Sequence, residues 1–147
     1  MSTKDVVWSH TEALLAQFLG CEPDELTADQ DGDWPVQFKS ARYWVRVVDG
    51  RRPHVEVFSH AIADIELDPG LLEELNDWNH VLAHANVFWS GRTVIVTGQI
   101  VGTSMELDDL GCMTDEIARE VHRRAPKIVA RFGGTVACPE EIDEGEG

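Results

Sequence analysis

Between Trp34 and Ala63 apolar side chains return at every second position, a period that writes strands rather than helices. Val36 and Phe38 alternate with Gln37 and Lys39, and Tyr43, Val45 and Val47 alternate with Arg42, Trp44 and Arg46. In the third run Val55 and Val57 share one face with Ser59, Ala61 and Ala63, while His54, Glu56, Phe58, His60 and Ile62 take the other. Successive side chains of a strand point to opposite sides of its sheet, so each run predicts one covered and one uncovered face. Asp49-Gly50 supplies the positive φ of a reversal, and Arg51, Arg52 and Pro53 lengthen the loop. An antiparallel meander is the simplest path.

Helical patterns flank this meander. Ser9-His10-Thr11-Glu12 has the form of a capping box, Leu14, Leu15, Phe18 and Leu19 make a stripe behind it, and Gly20 is placed to stop the helix. Asp68 as cap and Pro69 at the first helical position open a second helix on Leu71, Leu72, Leu75, Trp78, Asn79 and Leu82. Strands over Asn86 to Trp89 and Thr93 to Gly102 follow, joined at Ser90-Gly91. A last helix runs from Met105 to Arg131 on Leu107, Leu110, Ile117, Val121 and Ile128. Gly111 weakens it, Pro126 kinks or interrupts it, and Gly133-Gly134 stops it. The order α-β-β-β-α-β-β-α predicts an α+β fold with helices packed on a curved antiparallel sheet.

The 147 residues suffice for one core, since a chain of this size buries about 70% of its unfolded surface. We expect a lead-in over 1–8, one domain over 9–134 and a disordered acidic tail over 135–147. Within that tail Pro139 to Gly147 holds five carboxylates and one apolar residue, Ile142. No apolar run approaches the roughly 20 residues of a bilayer helix, and the polar N-terminus has no signal segment, so no membrane partner is expected. Cys21, Cys112 and Cys138 are odd in number and form no CxxC pair, which fits a reducing compartment and a cytoplasmic location. With 27 acidic against 12 basic residues the net charge is -15, a field that repels phosphate. No basic run exceeds Arg51-Arg52 or Arg123-Arg124, so nucleic acid is not an expected partner.

The stretch Leu71-Leu72-Glu73-Glu74-Leu75-Asn76-Asp77-Trp78-Asn79, the hairpin at Ser90-Gly91 and the ending Arg131-Phe132-Gly133-Gly134 resemble the YbjN-like family over Ser9 to Gly134. That family shares the fold of the small class I type III secretion chaperones. The resemblance implies a homodimer with a chaperone-like or regulatory role exercised through protein contacts, and it implies no reaction. The Arg51-Arg52-Pro53 loop and the acidic tail depart from the family pattern.

The candidate site follows from the alternation. If Tyr43, Val45 and Val47 face the helices, Trp44 lies on the opposite face between Arg42 and Arg46, with Phe58 and Ile62 beside it on the next strand. Aromatic side chains with arginines nearby make contact hot spots, and a lone indole on a solvated sheet is otherwise a liability. Trp34 is counted with this partner-binding or dimer face; in the competing account a segment around Trp34 covers Trp44 and Phe58 within the same chain. A second function class is a small-ligand sensor whose cleft is lined by Trp34, Trp44, Phe58 and Trp89. A third is a metal-dependent enzyme using His80 and His84, four apart near the end of the second helix, although a histidine there also serves the helix dipole. Asn76 and Asn79 either read a peptide backbone or tie the second helix to a neighbouring segment. Gly98, Gly102 and Gly111 form no phosphate loop, Glu106, Asp108 and Asp109 suit a helix N-terminus, and Cys112 fits a packed small residue. No catalytic residue, metal or cofactor is assigned. The expected function is non-enzymatic association with another polypeptide.

Overall fold

In the computed structural model, which describes residues 2–137, strands β1 (Trp34–Phe38), β2 (Ala41–Val48), β3 (His54–Ala63), β4 (Asn86–Ser90) and β5 (Thr93–Val101) form an antiparallel sheet in the order β1-β2-β3-β5-β4. A sixth short strand, β6 (Thr135–Val136), pairs with β3 at Ile62 and Ala63. Helices α1 (Thr3–Leu19), α2 (Pro69–Val81) and α3 (Leu107–Phe132) all lie against one face of the sheet. The opposite face carries no helix among the described residues.

The helix-covered face is the one the alternation assigns. Val45, Val55, Val57, Val94 and Val96 are fully buried, with Leu15 of α1, Leu71 and Trp78 of α2, and Leu110 and Ile117 of α3 packed over them. Burying each such aliphatic side chain contributes about 1.5–3 kcal/mol relative to leaving it exposed, which is what holds three amphipathic helices to the sheet. Gly98 belongs to this packing: a Cβ there would run into Met113 Sδ, so the missing side chain lets α3 seat closely on β5.

Helix α2 starts as the sequence predicts, with Asp68 Oδ1 accepting the amides of Gly70 (2.7 Å) and Leu71 (3.4 Å). Helix α1 starts earlier than expected. Its capping box is Ser2 with Asp5 rather than Ser9 with Glu12, so residues 3–8 are helical and Val7 joins the buried stripe with Thr11 and Leu15. Phe18 and Leu19, assigned to that stripe, are 38% and 39% exposed. Helix α3 continues through Pro126, whose ring faces solvent, and Gly133 at φ 89° ends it. Thr135 and Val136, assigned to the tail, are the paired strand β6; the rest of the expected tail, from residue 138, lies outside the described residues.

One irregularity redirects a predicted site residue. His60 pairs with Ile95 while Ile62 pairs with Val94, so Ala61 is an extra residue in β3, a β-bulge. A bulge reverses the phase of everything beyond it. Ile62 therefore turns to the helix side, where it is fully buried, and Ala63 is exposed.

Candidate functional site on the open sheet face

Strands β2 and β3 run in register on the uncovered face, with Trp44 opposite Phe58 and Arg46 opposite Glu56. Cross-strand neighbours at this spacing touch, and here the two rings stack with centroids 5.6 Å apart and planes at 16°. The His60 ring stands 5.6 Å from Trp44 and 5.7 Å from Phe58, closing a triangle of rings. The Arg46 guanidinium lies 4.6 Å over the Phe58 ring on its other flank. Phe58 is consequently 7% exposed although no helix covers it, while the indole of Trp44 remains half-exposed.

Arg46 is held from outside the strands. Its Nε and Nη2 donate to Asp33 Oδ1 (3.0 Å) and Oδ2 (2.8 Å), and its Nη1 stands 3.8 Å from Glu56 Oε1. The hydrogen bond to Asp33 raises the guanidinium pKa further, so the charge over Phe58 is permanent. Asp33 is itself clasped by its loop, because its amide donates to Asp29 Oδ1 at 3.0 Å. Asp29, Asp31 and Asp33 are the one cluster among the described residues with metal-ligand spacing, and Asp33 already spends both carboxylate oxygens on Arg46. Beyond this centre the open face presents Phe88, 42% exposed, and Val101, 53% exposed. Such a surface offers a fixed aromatic platform with cations beside it.

Of the predicted site residues, Arg42, Trp44, Arg46 and Phe58 share this face. Ile62 and Trp34 do not. Trp34 pairs with Val45 and so takes the helix side of β1, 2% exposed, with its ring 4.2 Å from that of Trp8 on α1. It neither belongs to the open face nor covers Trp44. Trp89 is also on the helix side, donating from Nε1 to Ile65 O at 2.9 Å. The expected cleft of Trp34, Trp44, Phe58 and Trp89 is therefore split across the two faces of the sheet. His84 lies beyond the end of α2, so it does not share a helix face with His80. Cys112 is exposed rather than packed.

Asn79 takes the structural role weighed for it, donating to Val87 O at 2.8 Å and accepting from Val87 N at 2.7 Å, so α2 is sewn to β4. Three residues that build the face were not among the sequence candidates. His60 was signalled by the alternation, two positions from Phe58, but Asp33 and Phe88 reach it only through the register of the sheet and the loop before β1.

None of the curated proteins compared with the chain matches it. Solved structures do match. A chain of the ExsC-ExsE complex superposes with a TM-score of 0.61 at 16% identity, over 82% of this chain and 94% of that one. A chain of the HopA1-SchA chaperone-effector complex gives 0.63 at 9% identity, over 83% and 95%. One from the heterodimeric ExoU-SpcU complex of the type III secretion system of Pseudomonas aeruginosa gives 0.55 at 15% identity, over 78% and 94%. At such identities these superpositions establish the fold, that of the class I type III secretion chaperones. No described helix is long and apolar enough to cross a membrane. With residues 5–140 matched by the TY-Chap1 family, described as T3SS (YopN, CesT) and YbjN peptide-binding chaperone 1, the chain belongs to that peptide-binding chaperone family.

Proposed function

We propose that this protein is a non-enzymatic, cytoplasmic chaperone or regulator that holds an apolar segment of another polypeptide against the open sheet face, with Trp44 as the central contact. The observation that carries this reading is the half-exposed indole of Trp44, stacked on Phe58 and flanked by Arg42 and Arg46 on a face that no described helix covers. A rigid aromatic group loses little conformational freedom on binding, and Arg46, already locked by Asp33, loses little more. The structural neighbours include chains solved in chaperone-effector complexes, which supports polypeptide as the ligand class. The same face also serves self-association: two copies can pair there when no client is present, so client and second copy compete. The reducing environment suggested by the unpaired cysteines supports the cytoplasmic location.

The test is an array of apolar and amphipathic peptides screened with the wild type and with Trp44→Ser, alongside sedimentation of both. Peptide affinity should fall at least tenfold in the variant, its dimer should weaken in parallel, and peptide should dissociate wild-type dimers. If Trp44→Ser stays folded and binds the same peptides equally well, the face is wrongly assigned.

A further inference from the structure

The chain is strongly acidic, yet half of its 12 basic residues converge on one place. Lys39, Arg119, Arg123, Arg124, Lys127 and Arg131 line two adjoining hollows of about 620 and 360 Å³ along α3, which share Arg123 and Lys127. Among the described residues three carboxylates pair with them: Asp115 with Arg119, Glu120 with Arg123 and Arg124, and Glu74 with Arg131. Lys39 and Lys127 have no carboxylate partner among the described residues. The charge balance of the molecule is thus reversed along one groove, whose cations stand largely in solvent; Arg119, Arg123 and Arg131 are 64%, 57% and 65% exposed.

The spacing of these cations matches one chain geometry. Arg119, Arg123, Lys127 and Arg131 recur at every fourth residue of α3, so they form a stripe with steps of about 6 Å and a length of about 18 Å. In an extended chain the side chains of one face recur at every second residue, about 6.6 to 6.8 Å apart. A segment with carboxylates at alternate positions therefore meets the stripe cation by cation over about seven residues. Lys39 is brought to the same groove by the turn between β1 and β2, which is fastened to α3 with Ser40 Oγ 2.6 Å from His122 Nδ1. The larger hollow is also lined by Pro126 and by the Phe38 ring, whose centroid lies 5.5 Å from both Lys39 Nζ and the Arg119 guanidinium carbon. Part of its wall is thus of low polarity, where ion pairs are screened less than in open water. The local surplus of cations suits a short acidic segment, whereas a long polyanion such as nucleic acid would run on over a molecule whose net charge is -15.

We propose that this groove binds an extended acidic segment of another polypeptide, whose carboxylates at alternate positions pair with Arg119, Arg123, Lys127 and Arg131. It is a second recognition surface, on the helix side of the sheet, and it does not rest on the reading of the Trp44 face. The two surfaces ask for different chemistry, apolar side chains on one and carboxylates on the other.

The test is fluorescence anisotropy of the full chain with a labelled heptapeptide that carries glutamate at its odd positions and serine between them. Binding is expected in 0.1 M salt and should be lost in 1 M salt, as the screening length contracts from about 10 Å to about 3 Å. Lys39→Gln with Lys127→Gln should weaken it at least tenfold; neither lysine has a carboxylate partner among the described residues, so the pair of substitutions breaks no described ion pair. Trp44→Ser should leave this affinity unchanged, which separates the groove from the open face. The peptide should also shift the side-chain Nε–Hε resonances of Arg119, Arg123 and Arg131. Equal affinity for the glutamine counterpart of the peptide or for one with its glutamates contiguous, indifference to the two lysine substitutions, or tighter binding of a single-stranded oligonucleotide of the same charge would each overturn the proposal. So would self-association, without peptide, that the two lysine substitutions abolish, since a second copy would then be the occupant.

Discussion

The two faces of β2 share a backbone and differ in what restrains them. Tyr43, Val45 and Val47 are 3%, 0% and 7% exposed and are held beneath α1 and α3; Arg42, Trp44 and Arg46 have no described helix above them, and Trp44 is held by Phe58 and His60, Arg46 by Phe58 and Asp33, and Arg42 by Gln37. Packing against helices is non-directional and governs stability, whereas a stack and a bidentate ion pair fix orientation, which is what recognition needs. A surface can therefore be rigid without being buried.

The sharpest break of this contrast is to delete one indole from each face. Trp34→Ala opens a cavity beneath α1 and should cost about 3–5 kcal/mol in urea unfolding. Trp44→Ala, removing a half-exposed ring and its stack on Phe58, should cost about 1 kcal/mol. Equal losses would mean that the open face is as structural as the covered one.

Alkaline pH probes the covered face next. Burial pushes the Tyr43 phenol up to about 12, against a hydrogen bond with Thr114 that lowers it. The folded pKa thus exceeds the unfolded value of about 10, so the stability is complete below pH 10 and declines by about 2 to 3 kcal/mol as pH rises toward 12. Tyr43 is the single tyrosine, so tyrosinate absorbance reports it alone and should appear together with unfolding. An ordinary titration near 10 in the folded protein would contradict the burial.

On the open face, Arg46→Met strands the carboxylate of Asp33, whose side chain is 4% exposed. The loss should be about 1–2 kcal/mol, at the low end because Arg46 is partly in water, and Asp33→Asn in the same chain should recover part of it. A double-mutant cycle with no coupling would show that Asp33 does not brace Arg46. Trp44→Ser should cost no more than about 1 kcal/mol of stability, as Trp44→Ala does, while giving the largest expected loss of peptide affinity.

Much of the fold was legible because its signals are local. Asp68-Pro69 opens α2 where the cap and the ring dictate, and the turn at Ser90-Gly91 closes as a hairpin with Gly91 and Arg92 both at positive φ, 56° and 65°. The placing of four of the six candidate residues on the open face was legible for the same reason: the phase of Arg42, Trp44 and Arg46 is set by the unbroken alternation of β2, and that of Phe58 by the alternation of β3 before its bulge. Trp34 was not, since at the head of a strand its side depends on pairing with Val45, and Ser9 was passed over because Ser2 caps the helix one stripe earlier.

Alternation and capping thus determined the strands, the helices and which way Trp44 points, because each depends only on residues within a few positions of one another. The tertiary structure alone decided the rest. The bulge at Ala61 turned Ile62 inward to meet Val94, Asp33 was brought to Arg46, and six scattered cations were gathered around two adjoining hollows along α3. These arrangements depend on strand register and helix packing, long-range choices that no local pattern encodes.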